Sequence, residues 1–172
     1  MASKTAGKEW IRDWILDRMK WSDVILDVGA CDGVWADLLR DKLRRSQLVA
    51  VEAFRPNAEA LWEKYGTVCC IRIQDFKYPR GFYKLAIFGD VIEHMSVEDA
   101  QAVLEYAADR CEDIVVAVPF LYKQGELYGN PFEVHIQDDL TPELMAERYP
   151  MLELLLQAEP GYAYYHLKGR EK

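Results

Sequence analysis

The stretch Val24–Gly33 constrains the fold of this chain more than any other. It reads Val-Ile-Leu-Asp-Val-Gly-Ala-Cys-Asp-Gly, an apolar run that breaks into closely spaced glycines. Such a run is typical of a strand buried on both faces, at the centre of a parallel sheet covered by helices. Gly29 and Gly33 can adopt positive φ and let a flat ligand lie against the main chain at the carboxyl end of the strand. The stretch therefore predicts an α/β sheet with a ligand site at this edge.

A second apolar run, Leu48–Val51, ends in Glu52, about 20 residues after the glycine turn, where a carboxylate can accept both ribose hydroxyls of a nucleoside. The glycine spacing differs from the G-x-G-x-x-G of dinucleotide folds, and Asp32 between the glycines disfavours a phosphate. A ligand with a cationic sulfonium and an amino-acid tail suits this turn better, and S-adenosylmethionine is such a ligand.

The periodicity of the remaining chain predicts strands that alternate with helices. Strands are expected over about 24–28, 47–52, 68–73, 85–88 and 113–118, and helices over about 6–20, 33–43, 56–65, 97–107 and 142–149. Two further apolar runs, 151–156 and 162–167, flank Pro160-Gly161 and predict an antiparallel hairpin. Residues 1–21 form an amphipathic segment that either packs on the sheet or covers the ligand as a lid.

The glycine stretch resembles the first motif of class I S-adenosylmethionine-dependent methyltransferases, of the small, single-domain, ubiquinone-biosynthesis-like type that acts on small molecules. Asp27, Gly29, Gly33 and Glu52 stand at matching positions, whereas Cys31 stands where that family usually has its middle glycine. The resemblance implies a Rossmann-like α/β fold: a doubly wound, seven-stranded, mostly parallel sheet that ends in an antiparallel hairpin, with helices on both faces. The whole chain, 1–172, is expected to be one methyltransferase domain.

The resemblance also implies that S-adenosylmethionine is the cofactor and S-adenosylhomocysteine the product. An acidic residue after the third strand would bind the adenine amino group and an apolar neighbour would cover the ring; Asp75 and Phe76 match these positions. The predicted cofactor-binding residues are Asp27, Gly29, Ala30, Cys31, Gly33, Glu52, Ala53, Asp75, Phe76, Asp90 and Val91.

The segment that follows the fourth strand, Asp90-Val91-Ile92-Glu93-His94, resembles the corresponding segment of small-molecule methyltransferases. The long polar and aromatic segment 119–140 is predicted to bind the substrate, because loops of this length in compact domains are usually functional. His94 and His135 are the candidate catalytic bases, since imidazole exchanges a proton near neutral pH. O-methylation of a small acceptor is favoured. No metal is predicted, although Glu93, His94, His135, Asp138 and Asp139 are suitable ligand types for a divalent ion.

Composition narrows the partners. The formal net charge of −8 argues against a nucleic-acid partner, whose phosphates bind clustered Lys and Arg. The four cysteines lack C-x-x-C spacing and are expected to be buried free thiols in a reducing cytosol. No stretch approaches membrane-spanning length, so a cytoplasmic monomer or homodimer is expected.

Three alternatives stay open. One is a non-catalytic protein that retains the nucleoside pocket. It stays in consideration because Cys31 replaces the family's middle glycine and Lys84 stands where the family commonly has an acidic residue before the fourth strand. Another is a peptide or protein methyltransferase, because the aromatic loop could hold a side chain. The third, an NAD-type or nucleotide-sugar oxidoreductase, is disfavoured by the glycine spacing.

Overall fold

The structure is a computed structural model that describes residues 6–77, 79 and 83–170. Seven strands form its central sheet: β1 (Ile25–Val28), β2 (Leu48–Glu52), β3 (Thr67–Cys70), β4 (Tyr83–Gly89), β5 (Cys111–Pro119), β6 (Glu153–Glu159) and β7 (Tyr162–Lys168). Their order across the sheet is β3-β2-β1-β4-β5-β7-β6. The first five strands pair in parallel, and β7 pairs antiparallel with both β5 and β6. The predicted mostly parallel sheet with a terminal antiparallel hairpin is confirmed.

Helices cover both faces of the sheet, as predicted. They are α1 (Lys8–Leu16), α2 (Val34–Leu39), α3 (Arg55–Ala60), α4 (Val97–Ala108) and α5 (Pro142–Arg148). Apolar side chains of α1, α2 and α3 pack on one face, and those of α4 and α5 pack on the other. The central strands β1 and β2 are buried along their whole length, because both faces are covered.

The sheet topology places a crevice at the carboxyl ends of β1 and β4. The chain winds outward in one direction through β2 and β3 and in the other through β4 and β5, so the connections after β1 and β4 leave on opposite sides. Ligands of doubly wound sheets bind at this switch point. The glycine turn follows β1 and the Asp90–His94 segment follows β4, so both predicted ligand segments meet there.

The N-terminal helix is shorter than predicted, and its buried residues include a lysine. It spans Lys8–Leu16 and packs with Ile11 and Ile15, which have no exposed surface. Lys8 is only 2% exposed although its side chain is charged, whereas the apolar Trp10 is 48% exposed. Residues 1–5 of the predicted lid segment lie outside the described residues.

Two further expectations are corrected. The third strand ends at Cys70 instead of residue 73, because the chain turns into a 3₁₀ helix over Ile73–Asp75. All four cysteines are free thiols, as expected. The expectation that they are buried is wrong for Cys31 and Cys70, which are exposed, and only Cys111 is fully buried. Among the described residues no helix is long and apolar enough to cross a membrane; the longest has 12 residues.

Candidate functional site

A cavity of about 550 Å³ opens at the carboxyl edge of the sheet. Its walls come from the glycine turn after β1, the end of β2, the segment after β4 and the loop between β5 and α5. Both predicted catalytic histidines line it, as do seven of the predicted cofactor residues: Gly29, Ala30, Cys31, Glu52, Ala53, Asp90 and Val91. The structure therefore brings most of the predicted site into one space.

Four of the predicted cofactor residues do not line the cavity. Gly33 begins α2, and the buried Asp27 accepts a hydrogen bond from the hydroxyl of Tyr65. Asp75 pairs with the Arg72 guanidinium at 2.9 Å, and Phe76 packs against the core. Their part in binding stays a prediction.

Backbone shape explains the narrow turn after β1. Gly29 has φ 65°, and a Cβ there would lie 2.7 Å from Cγ2 of Val91, so only glycine allows this close approach. Cys31 also has a positive φ, 48°, which is unusual for a residue with a side chain. The turn thus exposes backbone to the cavity and carries one strained position.

Glu52 ties the turn to the end of β2. Its carboxylate is 5% exposed and accepts the backbone N–H of Cys31 at 2.9 Å and that of Phe54 at 2.8 Å. Burial raises the pKa of this carboxyl, and the two backbone hydrogen bonds oppose the shift. Each oxygen keeps acceptor capacity, so the carboxylate is placed to accept ligand hydroxyls from the cavity.

The segment after β4 carries a second strained residue. Asp90 has φ 58°, and its carboxylate accepts a hydrogen bond from the hydroxyl of Tyr162, with the two oxygens 2.6 Å apart. Tyr162 lies at the start of β7 and lines the same cavity. Strained residues that surrounding contacts hold in place are typical of functional sites.

Glu93 is the most unusual group in the cavity. It has no exposed surface, and neither of its carboxylate oxygens has a hydrogen-bond partner among the described residues. Burial raises its pKa well above the ordinary value, and repulsion from Asp90 adds to the shift. A buried carboxyl without a hydrogen-bond partner is costly, which makes Glu93 a candidate for binding a ligand in the cavity.

Two histidines stand beside Glu93 with fixed ring orientations. His94 Nδ1 lies 3.1 Å from the carbonyl oxygen of Val134, and His135 Nδ1 lies 2.7 Å from that of Tyr122. A carbonyl oxygen only accepts, so each Nδ1 carries a proton, and in the corresponding neutral tautomer the lone pair lies on Nε2. Burial, together with repulsion from His135, lowers the pKa of His94, which favours its neutral form.

The other acids considered as metal ligands lie elsewhere. Asp139 forms two hydrogen bonds with Arg148, at 2.7 and 2.6 Å, and neither Asp138 nor Asp139 lines the cavity. This arrangement separates them from Glu93 and the two histidines.

Among the residues near the cavity that the sequence had not assigned to the site are two aromatic residues and a lysine. Trp35 and Tyr162 line it, and Lys8 places its ammonium 4.8 Å from the centre of the Trp35 ring. The Lys8 nitrogen is buried and has no hydrogen-bond partner in the described parts of the chain. A strand or helix pattern shows which face a residue occupies but not which distant loop it meets, so only the aromatic character of Trp35 and Tyr162 was visible beforehand.

Comparison with solved structures identifies several that have the same fold. A methyltransferase of Clostridium acetobutylicum ATCC 824, described as S-adenosylmethionine-dependent, is 12% identical over 98% of this chain and 92% of its own, with a TM-score of 0.68. The 1,6-didemethyltoxoflavin-N1-methyltransferase of Burkholderia thailandensis, solved with 1,6-didemethyltoxoflavin and S-adenosylhomocysteine, is 18% identical over 95% of this chain and 76% of its own, with a TM-score of 0.66.

Monomeric WbdD is 15% identical over 98% of this chain but only 42% of its own length, with a TM-score of 0.68. No protein-family model matches the sequence, and none of the curated proteins does. At these identities the similarity is one of fold.

Proposed function

Because the chain has the fold of the class I S-adenosylmethionine-dependent methyltransferases, we propose that it transfers the methyl group of S-adenosylmethionine to a hydroxyl of a small-molecule acceptor. The observation that carries the proposal is the shared cavity: the glycine turn and Glu52 form one wall, and Glu93, His94 and His135 form another. One wall suits a nucleoside with an amino-acid tail, and the other suits a polar acceptor.

The cofactor assignment follows from the first wall. The Glu52 carboxylate would accept the ribose hydroxyls, while the glycine turn, Ala53 and Val91 would contact the rest of the nucleoside. Asp90 would lie near the sulfonium, where a carboxylate stabilises positive charge in the ground state. Asp75 and Phe76 remain the predicted adenine contacts.

The reaction would be an in-line displacement. The acceptor oxygen forms a bond to the methyl carbon as the carbon–sulfur bond breaks, and the sulfonium becomes the thioether of S-adenosylhomocysteine. The hydroxyl proton passes to Nε2 of His94 or His135, each of which keeps a lone pair. Holding the two reactants in line supplies much of the rate enhancement in such a reaction.

Calorimetric titration tests the cofactor assignment first. Wild-type protein should bind S-adenosylmethionine and S-adenosylhomocysteine but not NAD, and Glu52→Ala should bind at least about tenfold more weakly because a buried charged hydrogen bond contributes roughly 1.5–3 kcal/mol. Circular dichroism would check that this variant is folded. Asp75→Ala tests the predicted adenine contact. If this variant binds S-adenosylmethionine as tightly as wild type does, Asp75 does not contact the adenine.

If wild-type protein bound neither S-adenosylmethionine nor S-adenosylhomocysteine, the methyltransferase proposal would be overturned. Tight binding of S-adenosylmethionine that is not converted to S-adenosylhomocysteine in the presence of any hydroxylated acceptor or peptide would instead favour the non-catalytic alternative. Methylation of peptides in preference to small molecules would favour the protein methyltransferase.

A further inference from the structure

We infer that Glu93, His94 and His135 form a binding site for one divalent transition-metal ion at the acceptor end of the cavity. One potential ligand atom from each residue lies within 4.8 Å of the other two. Two imidazoles and one carboxylate are a ligand set that binds ions such as Mn²⁺, Fe²⁺, Co²⁺ and Zn²⁺ and leaves other coordination positions open.

The buried carboxylate is the first argument for the site. Glu93 has no exposed surface, and its two oxygens lack hydrogen-bond partners in the part of the chain that the structure describes. Asp90, a second acid, lies close enough to repel it. A cation bound by Glu93 would both coordinate its oxygens and compensate the negative charge.

The histidines supply the second, independent argument. Each ring has its Nδ1 directed at a backbone carbonyl, from Val134 for His94 and from Tyr122 for His135. Metal-binding histidines are usually held this way, because the outer hydrogen bond fixes the tautomer and leaves Nε2 to bind the ion. The two ring centres are 4.7 Å apart and the rings are nearly perpendicular, at 79°.

The surrounding backbone holds the three residues together. Glu93 and His94 lie in a 3₁₀ helix, Ile92–His94, and His135 lies in the loop that docks on it. The carbonyl of Glu93 accepts the N–H groups of Ile136 at 2.8 Å and Gln137 at 3.0 Å. Two segments distant in sequence are therefore fixed at one point, as a preformed ion site requires.

The site would also narrow the class of acceptor, and this part rests on the proposed function. All three ligands line the cavity, so the open coordination positions face the acceptor. An acceptor that coordinates through oxygen would be held beside the methyl donor. With the ion bound the two histidines would be ligands rather than bases, because the cation would lower the pKa of a coordinated hydroxyl and its proton would leave to solvent.

The test is a titration of the full chain, freed of metal by a chelator, with Mn²⁺ and with Co²⁺. We expect one ion to bind per chain, with Co²⁺ gaining visible absorption bands on binding. Glu93→Gln and His135→Ala should each weaken binding by at least about 100-fold, since outer-shell partners alone contribute roughly 10–100-fold. Asp138→Asn is the matched control, because it removes an acid from the same loop outside the cavity; its affinity should equal that of wild type.

Stability supplies a readout that does not depend on activity. In chelator, Glu93→Gln should melt at or above the temperature of wild type, because it removes an unpartnered buried carboxylate. In saturating Mn²⁺ the order should reverse, since only wild type gains stability from the ion.

No saturable binding by wild type, or equal affinity in Glu93→Gln and wild type, would overturn the metal site. S-adenosylhomocysteine titrated in chelator keeps the two proposals separate. Nucleoside binding without metal binding refutes only the metal site, and metal binding without nucleoside binding refutes only the methyltransferase.

Discussion

Cys31 carries strain that a smaller residue would remove. Its φ of 48° lies in the left-handed region, which costs residues with a Cβ about 1–2 kcal/mol relative to glycine. Cys31→Gly should therefore raise the free energy of unfolding by up to about 1 kcal/mol, the remainder being offset by the greater freedom of glycine in the unfolded chain. Cys31→Val should lower it by about 1–2 kcal/mol, because a β-branched residue disfavours positive φ. Urea denaturation measures both; equal stability of the two variants would contradict the strained turn.

Asp113 predicts a pH dependence of stability. Burial alone would raise the pKa of its carboxyl, but hydrogen bonds from His166, at 2.9 Å, and Lys168, at 3.1 Å, bring it to about 2. The ordinary value of 3.8 applies in the unfolded chain, so the stabilisation is complete above about pH 4 and is lost as the pH falls toward 2.

Asp113→Asn should accordingly destabilise the protein by about 1 kcal/mol at pH 7. This is less than the full lowering of the Asp113 pKa would give, because solvent screens the Lys168 ammonium. Urea midpoints measured at pH 7 and pH 3 provide the comparison. The gap between variant and wild type should narrow at pH 3, and a gap independent of pH would refute the pairing.

At the scale of elements, Gln137 anchors the loop between β5 and α5 to the segment after β4. Its side chain is 5% exposed and donates to the carbonyls of Ile92, at 2.9 Å, and Met95, at 3.1 Å. It also hydrogen-bonds the hydroxyl of Tyr149 in the core. The loop is thus anchored through one amide to two neighbouring elements.

Gln137→Leu should lower the free energy of unfolding by about 2–3 kcal/mol, because it removes hydrogen bonds to two backbone carbonyls and to a buried hydroxyl. The affinity for S-adenosylhomocysteine should stay within about twofold, since Gln137 does not line the cavity. Gln157→Leu, at an exposed glutamine, is the control and should cost under about 0.5 kcal/mol. Equal effects of the two substitutions would show that the amide does not anchor the loop.

Local signals predicted the elements well. The apolar run before Gly29 specified a buried strand, the Pro160-Gly161 pair specified the hairpin turn, and Ser96 caps α4 by accepting the backbone N–H of Asp99. Each feature depends on residues close together in the chain. The ends of β3 and α1 were misplaced, because packing decides where such short elements stop.

At the scale of the whole molecule, the site depends on contacts that local patterns do not contain. Glu52 was predictable as a strand-end acid, but its hydrogen bond to the Cys31 backbone joins two separate turns. Tyr162 reaches Asp90 from the last strand, and Lys8 enters the interior from a helix whose pattern assigns lysine to solvent. The sequence predicted which residue types line the cavity. Which of them meet there depends on the order of the strands in the sheet, which local patterns do not specify.

The position of β7 has a consequence for synthesis. Among the described strands β7 is the last in the chain, yet it lies between β5 and β6 in the sheet. While the chain grows on the ribosome, β5 therefore presents an unpaired edge whose residues Ile114–Val118 are fully buried in the finished sheet. Open edges of this kind attract other strands. The nascent chain is therefore vulnerable to aggregation through this edge until β7 has been made, and insertion of β7 between β5 and β6 ends the exposure.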